Sequence, residues 1–348
     1  MKELGNATGG ERIGDIERLV GLVNGGAMSQ AMSVAAELGI ADLLASGPKS
    51  ADQLAHAAGC DASSLRRLMR ALASADLCNE HDDGSFSLTT AGSLLRDDAA
   101  DSLRHWVIWW GQYLWPEWGN LLHSVKTGES ARTLATQTIG LDHLEDDTEA
   151  AAIFNRAMTE LTRFIAGPVV RSYDFSEIRR IVDVGGGYGE LLAAILKDYP
   201  GLSGVLFDRP HAMAGARHLF EAAGVSSRCE TVAGNFFEFV PTGADAYLLK
   251  SVIHDWNDER GVVILQTCRK AIAIDGKLLL VEQIMPDRMK PSLSHQDVAR
   301  RDLNMLIGPG GRERTEPEFR NLLDASGFRL KRSIPVALNF FLLEAVPV

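Results

Sequence analysis

The chain has 348 residues, 46% hydrophobic and 23% charged, with a formal net charge of −11. That length suits two domains, or one large domain with an accessory piece, and the composition is that of a soluble globular protein. The negative charge excludes a broad phosphate-binding face, and with it a nucleic-acid partner, unless a local basic patch escapes the average.

The opening residues, MKELGNATGGERIGDIERL, hold no apolar core of signal-peptide length, which reads as a cytoplasmic chain. From 18 to 44 apolar residues recur at helical spacing (Met28, Ala31, Met32, Ala35, Leu38), with breaks expected at Gly25-Gly26 and Gly39. So much Ala and Met on short helices reads as an oligomer interface, with a plain core helix as the alternative. Residues 49–92 then read as a helix-turn-helix with a wing. Ser50 is placed to cap a helix to Ala58, Gly59 breaks it, and Asp61 caps a second helix to about Ser74. LCNEHDDGSFSLT (77–89) reads as a hairpin turning at Asp83-Gly84. A winged helix invites a DNA-binding reading, but residues 50–95 hold three arginines against six acidic residues, a net of −3. Glu80, Asp82 and Asp83 on the wing would repel phosphate, so a structural or dimerisation use is expected instead.

Between 104 and 118 stand five of the six tryptophans, Trp106, Trp109, Trp110, Trp115 and Trp118. Trp106, Trp109, Trp110 and Tyr113 share one helical face, which either packs a core or walls a flat ligand. Residues 127–147 read as a polar loop, and 150–170 as a helix ending near Gly167-Pro168.

From 181 onward short apolar strands (181–184, 204–208, 229–233, 246–251 and 277–283) alternate with helical patterns. That alternation demands a parallel sheet with helices on both faces, so the fold class is α/β and doubly wound. FRLKRSIPVALNFFLLEAVP (328–347) offers two more strands with no helix between them, and an antiparallel edge hairpin is expected. No run approaches about 18 uninterrupted apolar residues, so no membrane span is expected. Cys60, Cys78, Cys229 and Cys268 lack C-x-x-C spacing and read as free thiols, not as a disulfide framework or a metal site.

The first strand of that series runs straight into a glycine loop and a helix, IVDVGGGYGE (181–190). This leaves helix N-terminal N–H groups and bare backbone facing whatever binds at the strand's carboxyl end. A dinucleotide fingerprint needs glycine at 190, where Glu190 stands; the glycines are instead spaced as G-x-G-x-G. That counts against a nicotinamide-dependent dehydrogenase. Asp208, nineteen residues past Gly189, ends the second strand and is placed to accept hydrogen bonds from ribose hydroxyls. Asp183 suits a positive amino group, and the combination points to S-adenosylmethionine.

Past the fourth strand comes KSVIHDW (250–256), with His254 at the ligand crevice and Glu282 on the neighbouring strand's crest. Glu282 would orient the imidazole while its other nitrogen takes a proton. With an ordinary pKa near ~6.5 the ring is mostly free to accept one at neutral pH. His254, Asp255 and Asp258 read as a base plus a helix cap, not a ligand set, and no metal is expected.

With these residues in view the chain resembles the S-adenosylmethionine-dependent small-molecule O-methyltransferases of the plant phenolic and bacterial polyketide type, over nearly its whole length. The most specific pieces are DVGGGYG, LLKSVIHDW and GPGGRERTEPEF (308–319). The resemblance implies a Rossmann-like doubly wound methyltransferase sheet with an antiparallel edge strand, plus an N-terminal α-helical winged-helix dimerisation domain. It implies Asp183, Gly185, Gly187, Gly189 and Lys250 at the cofactor, Asp208 at its ribose, and His254 as general base flanked by Glu282 and Glu313. The family's G-D-F-F adenine contact reads Gly234-Asn235-Phe236-Phe237 here. Asn235 would accept through its amide oxygen, and Phe236 would pack on the adenine face. Phe154, Met158, Asn304 and Met305 fall at the family's pocket positions, beside Trp106 and Trp110 as an aromatic wall. The expected layout is a dimerisation domain at 15–100, a helical linker contributing to the substrate pocket at 101–170, and the catalytic domain at 171–348. The expected reaction is in-line attack by a hydroxyl of a small aromatic metabolite on the sulfonium methyl, in a cytoplasmic homodimer with no nucleic-acid or membrane partner. The alternatives are a member of the same fold turned to hydroxylation or decarboxylation, a dehydrogenase, and a ligand-responsive regulator using the winged helix.

Overall fold

The computed structural model describes residues 9–348, which divide into two units, one ending at Tyr113 and one spanning Leu114–Val348. In the first, a helix Gly9–Glu37 runs unbroken through Gly25-Gly26, where a break was expected. A mid-helix glycine costs only about 1 kcal/mol, which the hydrogen-bond ladder of so long a helix absorbs. The chain does turn at Gly39, at φ +63°. Ala31, Met32, Ala35 and Leu38 pack into this unit's core with Leu54, Leu65, Met69 and Phe86. The exposed apolar stripe lies further upstream, where Ile13, Ile16, Leu19, Val20, Leu22 and Val23 are all at least 51% exposed.

Ser50 and Gln53 form a reciprocal capping box on the helix Ala51–Ala58, and Gly59 ends it at φ +67°. Asp61 caps the helix Ala62–Ser74 by accepting the Ser64 N–H. The strands β1 (Lys49–Ser50), β2 (Cys78–Glu80) and β3 (Ser85–Leu88) form an antiparallel sheet in the order β1-β3-β2, completing the wing. Arg70 pairs with Glu80 at 3.2 Å, so one of the three arginines already answers an acid of the wing. The tryptophan helix, Arg104–Trp109, opens into a π-helical turn at Trp110–Leu114. Gly111 there meets the first helix so closely that a Cβ would lie 2.0 Å from Ser33 Oγ. Trp109 is buried and stacks on Tyr113 at 4.5 Å; Trp106 and Trp110, half-buried, tilt against each other at 6.0 Å.

In the second unit, residues 127–147 are not the expected loop. They include a helix Ala131–Thr136, capped by Ser130, and a 3-10 turn Asp142–Glu145. Their polar residues are engaged locally, Arg132 being buried against Glu117. The helix Thr148–Ser172 carries Pro168 inside it instead of ending there. Burial of Val169 and Val170 offsets the about 3 kcal/mol that an interior proline costs.

The large sheet consists of β4 (Arg180–Val184), β5 (Ser203–Asp208), β6 (Cys229–Ala233), β7 (Ala246–Lys250), β8 (Lys277–Gln283), β9 (Phe328–Pro335) and β10 (Phe340–Pro347). Their order is β6-β5-β4-β7-β8-β10-β9, with β4 to β8 mutually parallel and β10 antiparallel to both its neighbours. Alternate residues feed two cores: Ile181, Leu206, Leu248 and Leu279 on one face, Val182, Val205, Tyr247 and Leu280 on the other. Connections leave β4 toward β5 on one side and enter β7 on the other, so the crevice opens at the carboxyl ends of β4 and β7. No helix among the described residues is long and apolar enough to cross a membrane.

Candidate active site

At the end of β4 the chain needs glycine for two separate reasons. Gly185, Gly187 and Gly189 take φ of +72°, +58° and +84°, a region that disfavours side chains. At Gly185 a Cβ would also lie 2.8 Å from Val252, whereas above Gly187 the space is open. The Gly187 N–H donates to Asp208 Oδ2 at 2.9 Å, and Asp208 Oδ1 accepts the Arg209 N–H at 2.7 Å. The Asp208 carboxylate is thereby pinned at the tip of β5 with further lone pairs to offer. Asp183, in β4, is 2% exposed; burial first, and Asp208 second, push its carboxyl up to about 7, with Lys250 opposing. Lys250 ends β7 and donates from Nζ to Thr162 Oγ1 at 3.2 Å. Burial and the nearby Arg301 lower it to about 8, against the pull of Glu282, Asp183 and Asp255.

Asn235 Oδ1 accepts the Phe237 N–H at 3.0 Å and its Nδ2 donates to Glu238 at 3.3 Å, closing the turn after β6. Phe236 stands edge-on to Phe237 and Trp256 and reaches within 3.7 Å of the Cβ position of Gly185. Bare loop backbone, a pinned carboxylate, a buried carboxyl and a ring edge suit a nucleoside that carries hydroxyl and ammonium groups.

On the other side of the crevice, β7 passes through Ser251, at φ +53°, into the 3-10 turn Ile253–Asp255. His254 Nδ1 lies 2.9 Å from Glu313 Oε1 and 4.0 Å from Glu282 Oε2, while Nε2 lies 3.5 Å from Asp255. The expectation that Glu282 orients the ring is therefore corrected: Glu313 holds Nδ1. Glu282 Oε1 instead accepts the Val252 and Ile253 N–H groups at 3.0 and 2.8 Å and holds the turn. Burial pushes the Glu282 carboxyl up to about 7, with the His254 charge working against it. Burial likewise disfavours the imidazolium of His254, but Glu313, Asp255 and Glu282 outweigh it and push the ring up to about 9. A ring mostly free of its proton at neutral pH, as the reference value suggests, is thus not what this pocket produces. The helix cap, too, differs: Asn257, not Asp255 or Asp258, caps the helix Asp258–Ala271.

Asn304 is buried, its Oδ1 accepting the Trp118 indole N–H at 2.8 Å. The Met305 carbonyl accepts the Gly310 and Gly311 N–H groups, and Phe154 and Met158 lie half-buried on the helix Thr148–Ser172. Met158 is linked to the crevice through Thr162, whose hydroxyl donates to the Met158 carbonyl at 2.6 Å and accepts from Lys250. Trp106 and Trp110 belong to the other unit. Two residues of this site carried no sequence signal, Thr162 and Asp302, the latter accepting the Glu313 N–H at 2.8 Å. An isolated Thr inside a helix and an Asp eleven residues from its partner match no motif.

Residues 118–329 match the O-methyltransferase domain family, and residues 20–98 the O-methyltransferase dimerisation domain. The phenazine O-methyltransferase PhzM of Lysobacter antibioticus is 40% identical over 330 residues, covering 95% of this chain and 96% of that protein. The crystal structure of LaPhzM superposes with a TM-score of 0.92 at 40% identity, covering 95% of this chain and 99% of that one. NcsB1, an O-methyltransferase from neocarzinostatin biosynthesis solved with S-adenosylmethionine and 2-hydroxy-5-methyl naphthoic acid, gives a TM-score of 0.80 at 32% identity, covering 92% and 96%. The chain belongs to the O-methyltransferase family, and it is an S-adenosylmethionine-dependent enzyme.

Proposed function

We propose that the protein methylates a hydroxyl of a small aromatic metabolite, with His254 as general base, and that it works as a homodimer through residues 15–100. The observation that carries this reading is the imidazole at the switch point of the sheet, held 2.9 Å from Glu313 and surrounded by two further carboxylates. When bound, S-adenosylmethionine supplies an electrophilic methyl on a positive sulfur. Asp208 would take the ribose hydroxyls, Asp183 the amino group, and Phe236, Asn235 and the glycine backbone would shape the adenine end. Lys250, close to Asp183 and Glu282, would offset their charge beside the cofactor.

His254 would accept the acceptor's proton at Nε2 while Glu313 keeps Nδ1–H in place. A phenol has a pKa of ~10, so transfer to a ring at ~6.5 is uphill by over three decades, and to a ring near 9 by about one. The carboxylates thus stabilise the imidazolium that the transfer creates. With a positively charged cofactor bound in the crevice, His254 would be less readily protonated and so better prepared to act as the neutral base. Phe154, Met158, Asn304 and Met305 are the residues proposed to receive the acceptor. A flat aromatic acceptor is supported by what the relatives' names describe, a phenazine and a naphthoic acid. Homodimer formation is supported by the dimerisation-domain match and by the apolar stripe from Ile13 to Val23.

The test compares acceptors in His254→Ala. For a weakly acidic phenol kcat should fall by about 10² or more, with S-adenosylhomocysteine affinity unchanged. An acceptor already ionised at the assay pH should lose much less, because no proton remains to be taken. Equal losses on both would make the imidazole a positioning group. In a screen over phenols, naphthols and polyketide aromatics, transfer only to amines or carboxylates would overturn the hydroxyl reading.

A further inference from the structure

Among the described residues, Arg314 is one of the largest side chains that the fold buries completely. A buried guanidinium is costly unless its N–H groups are met, and here one loop meets them. Nη1 donates to the Ile253 carbonyl at 3.0 Å, Nη2 to the Trp256 carbonyl at 2.7 Å, and Nε to Asp258 Oδ1 at 2.9 Å. Ile253 and Trp256 bracket His254. Arg314's own carbonyl accepts the Met285 N–H at 2.9 Å, and its backbone bridges Ile284, two residues past Glu282. Its neighbour Glu313 is the carboxylate on the imidazole. One residue therefore ties together the strand end that carries Glu282, the segment that carries Glu313 and the turn that carries His254. The same segment closes on the turn a second time, where the Arg312 N–H donates to the His254 carbonyl at 2.8 Å. Only a planar fork of fixed geometry reaches two carbonyls three residues apart and a carboxylate at once; a lysine ammonium is a single point at the end of a flexible stem.

We propose that Arg314 is a positioning residue for methyl transfer: by holding the carbonyls of Ile253 and Trp256 it keeps the His254 ring against Glu313. The proposal rests on the role of His254 given above. The charged groups facing that ring are Glu313 from its own segment, Asp255 from the turn and Glu282 from β8, with Arg132 and Lys250 favouring the ionised form of Asp255. Without the anchor the turn loosens, Glu313 no longer bonds Nδ1, and the ring loses its strongest support for a proton.

The experiment is an NMR titration of the His254 ring together with methyl-transfer kinetics in Arg314→Lys. The titration point should drop from about 9 toward 6.5, and kcat should fall by about 10- to 100-fold, the usual consequence of a misplaced catalytic group. S-adenosylhomocysteine affinity and the KM for the acceptor should stay near parent values, which separates lost positioning from lost structure. A folded Arg314→Lys with an unchanged titration overturns the proposal, whatever happens to kcat. Should that variant fail to fold, Asp258→Ala removes the partner of Nε from the outside, at a side chain 62% exposed. It should move the titration the same way by less, and no movement there overturns the proposal equally. Because the titration reads the ring directly, it stands even if the acceptor comparison in His254→Ala shows that His254 is not the base.

Discussion

Replacing Glu313 by Gln removes the charge 2.9 Å from His254 Nδ1 while leaving an acceptor in its place. In the parent protein burial works against the imidazolium, and Glu313, Asp255 and Glu282 together overcome it, taking the ring from 6.5 to about 9. That rise corresponds to about 3 kcal/mol of preference for the protonated ring in the folded state. Three carboxylates share it and Glu313 has the largest part, so loss of its charge should forfeit at least about 1 kcal/mol. Because the folded-state pKa lies above the unfolded value, this stabilisation is fully present below pH 6.5 and is lost as pH rises through about 9. Urea unfolding of parent and variant, at about pH 6 and about pH 9.5, isolates it. The stability gap between them should be larger at the lower pH by about 1 kcal/mol or more, since other effects of the substitution are common to both conditions. With cofactor saturating, the rising limb of kcat/KM against pH should also move to lower pH in the variant. A gap of the same size at both pH values would refute the reasoning, since Glu313 would then not be what holds the proton on the ring.

The remaining predictions concern the cofactor, the turn and the assembly. Asp208→Ala should weaken S-adenosylhomocysteine binding by about 10- to 150-fold in calorimetry, the equivalent of a charge-assisted hydrogen bond of about 1.5 to 3 kcal/mol; unchanged affinity would remove Asp208 from the site. Gly311→Ala would place a Cβ 2.0 Å from the His254 carbonyl oxygen. Because that oxygen is backbone, the turn must move, and kcat should drop by at least about 10-fold while cofactor affinity holds; a variant with parent kcat would show the contact to be without consequence. Light scattering at low micromolar concentration should return twice the chain mass of 37.8 kDa, and Leu19→Glu with Val23→Glu should halve it. A 37.8 kDa particle for the parent would count against the homodimer.

Much of this protein is settled by local chemistry, and that part was readable in the chain itself. Ser50, Asp61, Gly59 and the Asp83-Gly84 turn act on their own neighbours within three or four residues, so the winged helix follows from them directly. Alternating apolar strands and helices demand a parallel sheet, and a strand running into Gly185, Gly187 and Gly189 places the crevice at its end. What the local signals missed were the places where packing outweighs propensity. Gly25-Gly26 and Pro168 do not break their helices, because a long hydrogen-bond ladder and two buried valines offset costs of a few kcal/mol. Residues 127–147 look like loop, yet the buried Arg132–Glu117 pair and the Ser130 cap order them. The charge state of the site was hidden for a related reason. Strand ends mark His254 and Glu282 as neighbours and the family resemblance adds Glu313, but only folding decides which carboxylate meets which nitrogen. Glu282 lies 28 residues and Glu313 59 residues along the chain from His254. It is β8 that aims the first at the turn's backbone, and the segment anchored by Arg314 that brings the second to the ring. A proton's affinity depends on distances of a few ångströms in a buried site, and those distances exist only once the strands have assembled.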